Sequence, residues 1–393
     1  MTTIILADSD ETVLGELLDS LQSVRPDWQF VGLSRGIDVL QRANTENDNC
    51  IVTDVDLPDM SGFELLSKLQ ANYPDIVRIT LTHDLEQRAE LEISRLTHRF
   101  INRAVCTDTL VSAIESSLRL QQLLCAEPLK RSMSDIGSLP SLPEIYQEMI
   151  SELTSPQSSL SNVAKIIESD SALTATVLKI VNSAFYGLNQ RIESVSQGVA
   201  LLGVHLIKNI TLTAKVFAQF DGGVQQLDKL RRLNDNANRN GALTNQMARL
   251  AGLARPDVDH AQIAGMLSNI GEVFSLSDKT NARTDQAEAI ATELQGAYLL
   301  KLWLLPEPVI EAVALQYEST LRPSTATTPL TILHAIRYLE THYVDPTNKS
   351  QREDGIAYLE KRVSPGVAEQ WVDAYCDVMA LTAQNDIDRS RVA

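Results

Sequence analysis

The residues best placed to do chemistry are acidic, and they sit at the ends of short apolar runs. Asp8 and Asp10 follow Ile4–Ala7, Asp54 follows Cys50–Thr53, and Asp56 lies two residues further on. Thr82 ends the run Ile76–Leu81, and Arg103 follows Arg99–Ile101. If the runs are neighbouring strands, these side chains converge on one edge. Two carboxylates about 4–5 Å apart repel by several kcal/mol at an effective dielectric near 20. A hard cation such as Mg²⁺, which prefers carboxylate oxygens and water, would relieve that repulsion. A hydroxyl at Thr82 and a cation at Arg103 would then suit a phosphoryl group formed on one carboxylate.

Transition-metal ligand types are scattered by comparison. His83, His98, His205, His260, His334 and His342 show no ligand spacing to one another or to a cysteine. His334 lies on an apolar helix and reads as a core or interface histidine. Cys50, Cys106, Cys125 and Cys376 form no CxxC pair and read as reduced thiols of a cytoplasmic protein.

The elements that must position the acidic residues are alternating strands and helices. Phe30–Leu33 adds a strand to the four runs above. Leu14, Leu17, Leu18 and Leu21 share one helical face, as do Leu110, Ala113, Ile114 and Leu118, and Phe63–Leu69 continues as a helix. Repeated strand–helix units predict a parallel sheet covered on both faces, with its ligand site at the carboxyl ends of the strands. The pattern stops near residue 122. From Leu139 onward only helices are predicted, as in Val163/Ile166/Ile167 and Leu173/Val177/Leu178/Val181. Gly187 stands where a helix would end. Leu321–Thr328 reads as a loop. The expected division is 1–122, a linker at 123–138, a helical domain at 139–345 and a helical extension at 346–393.

The net charge of −17 narrows the function classes. Residues 1–122 hold 20 acidic and 10 basic residues. Such a surface repels a phosphate backbone, so DNA binding is not expected. The densest basic spot, Arg231, Arg232 and Arg239, reads as a solvated or ion-paired helix face. No apolar run approaches the roughly 18–20 residues that span a bilayer, and the N-terminus has no secretory pattern, so no membrane association is expected.

Over residues 1–122 the constellation resembles the receiver domain of response regulators, carried mainly by Asp54-Val55-Asp56-Leu57-Pro58-Asp59-Met60-Ser61-Gly62. The resemblance implies a flavodoxin-like, doubly wound α/β domain. In it Asp54 is the phospho-acceptor, and Asp8, Asp10, Asp54 and the carbonyl of Asp56 hold Mg²⁺. Thr82 and Phe100 would be the switch residues, with Arg103 contacting the phosphoryl group. Three positions depart from the family: Ser9 replaces the second of two adjacent carboxylates, Arg103 a lysine, and Ala104 a proline. A cis peptide without proline costs about 2.5–4 kcal/mol, so the loop at Ala104 is expected to be trans. Two readings follow: a switch phosphorylated by a histidine kinase, or a pseudo-receiver that only docks.

Further on, Leu139-Pro140-Ser141-Leu142-Pro143-Glu144, Ala164–Asp170, Val181–Gly187 and Ala200–Gly203 succeed one another as in the HDOD family. That resemblance implies an all-α fold related to HD-type phosphohydrolases, with Ser171 in place of a common proline. Asn182 and Ser183 are read as structural polar contacts. Against the family's apolar pattern, the metal-binding positions fall on Arg239, Ser268, Asn269, Thr292 and Gln316, with Tyr317 beside Gln316 and Arg337 near the last aspartate. Ser, Asn, Thr and Gln are weak ligands, and Arg239 adds a fixed cation. The expectation is therefore no metal in the HDOD domain, no enzyme, and a protein partner, for instance an enzyme of cyclic-dinucleotide signalling. A homodimer is compatible with the resemblance. A cryptic phosphohydrolase and a nucleotide-binding groove are the competing readings.

Overall fold

The computed structural model describes residues 2–45, 49–82, 96–103, 106–134, 140–155, 157–183, 186, 191–219, 226–277, 291–318, 327–343 and 348–392. His83, Ala104, Leu139, Ala184, Phe185, Gly187 and most of Leu321–Thr328 lie outside the described residues. The chain divides into two units, Met1–Ala126 and Glu127–Ala393.

In the first unit, β1 (Thr3–Ala7), β2 (Gln29–Leu33), β3 (Cys50–Thr53), β4 (Val77–Thr82) and β5 (Arg99–Asn102) form one sheet in the order β2-β1-β3-β4-β5. All pairings are parallel. Successive strand residues face opposite sides, and here both sides are apolar. Ile4 and Leu6 of β1 pack with Leu14 and Leu21 of α1 (Glu11–Val24) and with Leu110 and Ile114 of α4 (Thr107–Leu124). Ile5 and Ala7 pack on the other face with Val39 of α2 (Gly36–Thr45) and with Leu65 and Leu69 of α3 (Gly62–Asn72). Each strand read from sequence starts and ends within one residue of its place here. Helix α2 was not among the helices read from sequence, because only Val39, Leu40 and Ala43 mark its apolar face.

The chain runs from β1 outward to β2 and then back across to β3, so the order of strands reverses at the β1/β3 pair. That reversal opens a crevice at the carboxyl ends. The register pairs Ala7 with Thr53, and the Asp54 amide donates to the Ala7 carbonyl at 2.9 Å. Asp8 and Asp54, each one residue beyond its strand, are thereby set side by side.

The second unit is helical throughout its described residues. Its elements are α5 (Glu127–Ser134), α6 (Glu144–Thr154), α7 (Leu160–Glu168), α8 (Ser171–Val181), α9 (Val195–Leu202), α10 (Val204–Ala218) and α11 (Leu227–Leu250). They continue with α12 (Arg255–Leu267), α13 (Ile270–Ser277), α14 (Thr292–Leu302), α15 (Glu307–Leu315), α16 (Pro329–His342), α17 (Lys349–Leu359) and α18 (Pro365–Val392). Asp170 caps α8 by accepting from Leu173 N at 2.9 Å. Asn182 bridges to Ile192 in both directions, donating and accepting at 2.8 Å, which is the structural contact expected of it. Helix α12 is buried on all sides over Ala261–Leu267, as befits a central helix.

Two sequence expectations change. The stretch 123–138 was expected to be a linker, but Glu127–Ser134 forms α5, with Leu129 and Met133 buried one turn apart. Two apolar residues in eight gave no legible period. Residues 346–393 were expected as an extension. They do form helices, and these enter the main core: Trp371, Val372 and Tyr375 pack with Leu243, Met247 and Ile336, and the Trp371 indole N–H donates to the Met247 carbonyl at 2.9 Å.

One close approach is demanding. A Cβ on Gly271 of α13 would overlap the carbonyl oxygen of Thr292 at the start of α14 and lie 2.7 Å from its carbonyl carbon. Gly271→Ala must push the two helices apart. Urea denaturation should show a loss of about 2–3 kcal/mol. Gly366→Ala, where a Cβ meets nothing within 4 Å, should leave stability unchanged or slightly raised.

Candidate functional site

The crevice of the first unit gathers Asp8, Asp54 and Arg103. Asp8 and Asp54 would repel by about 4 kcal/mol at 4 Å and an effective dielectric of 20. Their side chains are 8% and 9% exposed, so water does little to screen them. Arg103, at 16% exposure, supplies the cation: Nη1 donates to Asp54 Oδ2 and Nη2 to Asp8 Oδ2. Its planar fork carries donors on two nitrogens, which is why one residue spans two carboxylates. The remaining oxygens are held by backbone. Asp8 Oδ1 accepts from Asp10 N at 2.9 Å, and Asp54 Oδ1 accepts from Val55 N at 2.6 Å.

Of the other two expected metal positions, the Asp10 carboxylate goes elsewhere. Asp10 is the N-cap of α1, accepting from Thr12 N at 2.9 Å and Val13 N at 3.3 Å. An aspartate there satisfies two amides of the helix start and complements its dipole. Asp56 is exposed and pairs through its backbone with Ser61. As arranged, these residues do not fit a divalent ion. Asp10 is committed to the helix, Ser9 brings no carboxylate, and Arg103 stands between the two acids that are left. Among the described residues no group of three or more His, Cys, Asp or Glu could hold a metal ion.

The loop after β3 is rigidly tied. Gly62 N donates to Val55 O at 2.8 Å, and a Cβ at Gly62 would come within 2.6 Å of the Asp54 carbonyl oxygen. Ser61 caps α3. Asp59 accepts from Gly36 N at 2.8 Å and Ile37 N at 2.9 Å. The amide of Ile37, with that of Gly36, holds its carboxyl below the usual aspartate range. Asp59 thus fastens the start of α2 to the Asp54 loop, a role the sequence reading did not assign. The side chains of Thr82 and Phe100 lie outside the described residues; Thr82 ends β4, and Phe100 pairs with Thr80 in β5.

In the second unit the positions read as degenerate metal sites largely come together. Arg337, 6% exposed, lies at their centre. Its Nε donates to Gln316 Oε1 at 2.7 Å, Nη2 to Asn269 Oδ1 at 2.7 Å and Nη1 to Glu340 Oε2 at 2.6 Å. Arg239 reaches the other oxygen of Glu340 at 2.5 Å. Gln316 donates to the Ser268 carbonyl at 2.9 Å, and Ser268 Oγ lies 3.0 Å from Asn269 Oδ1. Asn269 in turn donates to Glu272 at 2.8 Å. Helices α11, α13 and α16 and the C-terminal ends of α12 and α15 are joined by this network. Thr292 begins α14 beside Gly271 and stands apart from these contacts.

Glu340 was missed in the sequence. Its signal was the i,i+3 spacing from Arg337, which is indistinguishable from a solvated surface pair until burial is known. His334 is a satisfied core histidine: Nδ1 lies 3.1 Å from the Gln316 carbonyl and Nε2 2.8 Å from the Tyr358 hydroxyl. Burial holds it below the ordinary histidine range.

With this geometry in hand, likeness to known proteins is specific. Residues 4–115 match the response regulator receiver domain, and residues 139–319 match the HDOD domain. An uncharacterized protein of Treponema pallidum is 29% identical over 210 residues, 47% of this chain and 39% of that protein. The DNA-binding transcriptional regulator NtrC of Proteus hauseri is 28% identical over 116 residues, 28% of this chain and 24% of that one. The chain thus spans well under two thirds of these curated relatives. Among solved structures, the receiver domain of an HD domain-containing protein from Pseudomonas fluorescens is 24% identical, with a TM-score of 0.29, covering 31% of this chain and 89% of that one. An HDOD domain protein of unknown function from Geobacter sulfurreducens is 20% identical, with a TM-score of 0.48, covering 66% and 94%. The chain therefore joins a response regulator receiver domain, over residues 4–115, to an HDOD domain, over residues 139–319.

Proposed function

We propose that this response-regulator-like signalling protein uses its receiver to control an HDOD domain that binds a protein partner and performs no hydrolysis. One observation carries the second half of that reading: two arginines, Arg337 and Arg239, converge on Glu340 where a phosphohydrolase of related fold would hold its metal. A guanidinium keeps its proton at any physiological pH and offers no lone pair, so it neither ligates a metal nor activates water. Two fixed positive charges also oppose the entry of a divalent cation.

In the receiver, Asp54 is the candidate phospho-acceptor and a histidine kinase the candidate donor. A phosphoryl group on Asp54 would present new anionic oxygens to Arg103 and draw it from Asp8, and that shift is the event the rest of the domain would read. The docking reading has its own support in the double anchoring of Asp54 by Arg103 and Val55 N. Downstream, enzymes of cyclic-dinucleotide signalling are the proposed partners, and no DNA target is proposed.

Three outcomes are expected. Elemental analysis of the purified chain should find sub-stoichiometric transition metal, and a panel of phosphate mono- and diesters should not be hydrolysed above background. A stoichiometric metal whose chelation abolishes ester hydrolysis would overturn the proposal. Treatment with acetyl phosphate, followed by phosphate-affinity electrophoresis, should give a retarded band absent from Asp54→Ala; no retarded band would select the docking reading. Arg337→Met should lower stability in urea by about 3 kcal/mol, because it leaves Gln316, Asn269 and half of Glu340 without their buried donor.

A further inference from the structure

The receiver crevice contains a counter-ion that is part of the chain. Asp8 and Asp54 are nearly buried, and each carboxylate has one oxygen on a backbone N–H and the other on Arg103. Asp10, the third acid within reach along the sequence, spends its carboxylate on the N-terminus of α1. Ser9 lies between them and contributes no charge. A divalent ion entering here would find two occupied carboxylates, the Asp56 backbone and a buried cation. Mg²⁺ demands near-ideal octahedral geometry and gives up its water reluctantly, so such a partial shell is a poor exchange.

We infer that Arg103 is the resident cation of the Asp8–Asp54 pair and closes the receiver crevice to Mg²⁺. Arg103 has a structural and a selective effect at once. It offsets one of the pair's two negative charges and bridges them at every physiological concentration of divalent ion, and it makes the local arrangement of the β1 and β3 ends independent of metal supply. The assignment is separate from whether Asp54 accepts a phosphoryl group: it concerns only which cation faces the two carboxylates beforehand.

The test is direct metal binding to the full-length chain. Mn²⁺, a spectroscopic stand-in for Mg²⁺, is titrated and free ion is read by electron paramagnetic resonance; Mg²⁺ is titrated by calorimetry. The unsubstituted chain should take up neither ion with a Kd below about 10 mM. Arg103→Ala frees both carboxylates and should bind with a Kd of about 1 mM or tighter, at least a roughly tenfold gain. Its thermal midpoint should rise with added Mg²⁺ while that of the unsubstituted chain does not. Adding Asp54→Asn to Arg103→Ala should abolish the gain, which assigns the ion to this crevice. Should Arg103→Ala fail to fold, Arg103→Lys serves: a compact ammonium covers the pair less completely and should give an intermediate affinity. Binding by the unsubstituted chain at Asp54 with a Kd below about 10 mM would overturn the inference, as would a folded Arg103→Ala chain that binds no more tightly than its parent.

Discussion

Two carboxylates at the ends of adjacent parallel strands cannot share a dry crevice without a positive charge between them. The register of β1 and β3 makes that unavoidable, because pairing Ala7 with Thr53 places Asp8 beside Asp54. Everything around the crevice is arranged about the constraint. Arg103 leaves β5 with its guanidinium across both acids, Asp10 turns away to cap α1, and Asp59 fastens α2 to the Asp54 loop. Gly62 lets α3 begin so close to the Asp54 carbonyl that no side chain would fit.

The helical unit holds the inverse arrangement, two cations on one carboxylate. There the centre is Glu340, and the cations are Arg337 and Arg239. Ion pairs this deeply buried contribute little net stability, since desolvation offsets most of the Coulomb gain. Their effect is to define geometry. Arg337 ties α16 to the C-terminal ends of α12 and α15 through Asn269 and Gln316, and His334 extends the order to Tyr358 on α17.

The sequence made the sheet and its crevice legible because two periodicities agreed. Ile4/Leu6 and Ile5/Ala7 face opposite sides, and both are apolar, which marks a strand covered twice. The residue types at the strand ends were legible too, but their division of labour was not. Asp8 and Asp10 look equivalent on paper. The helix start after Asp10 claims one of them, and in sequence its capping signature competed with the pull of an acidic cluster. Glu340 was hidden for the opposite reason: an Arg–Glu pair one turn apart looks like surface. Helix α5 offered two apolar residues in eight, too few for a period. Trp371 and its neighbours read as helix, but only packing reveals that they complete the core formed by Leu243 and Met247.

A bound metal and a tethered guanidinium differ in what a site can transmit. A metal exchanges with solvent, polarises water and responds to supply, so its site can do chemistry. Arginine does none of these and stays protonated; its only freedom is where its side chain points. A site built on arginine therefore reports through position. For Arg103 the alternatives are the Asp8–Asp54 bridge and any stronger anion presented at the same edge. Each new partner shifts the balance by as much as it prefers one arrangement over the other. The strand ends and the Asp54 loop are stiffly tied to α1, α2 and α3, so a displaced Arg103 would leave Asp8 unpaired in a low-dielectric crevice. Under the proposed switch, that uncompensated charge would favour opening of the edge, and through it a phosphoryl group on Asp54 would be felt beyond the crevice.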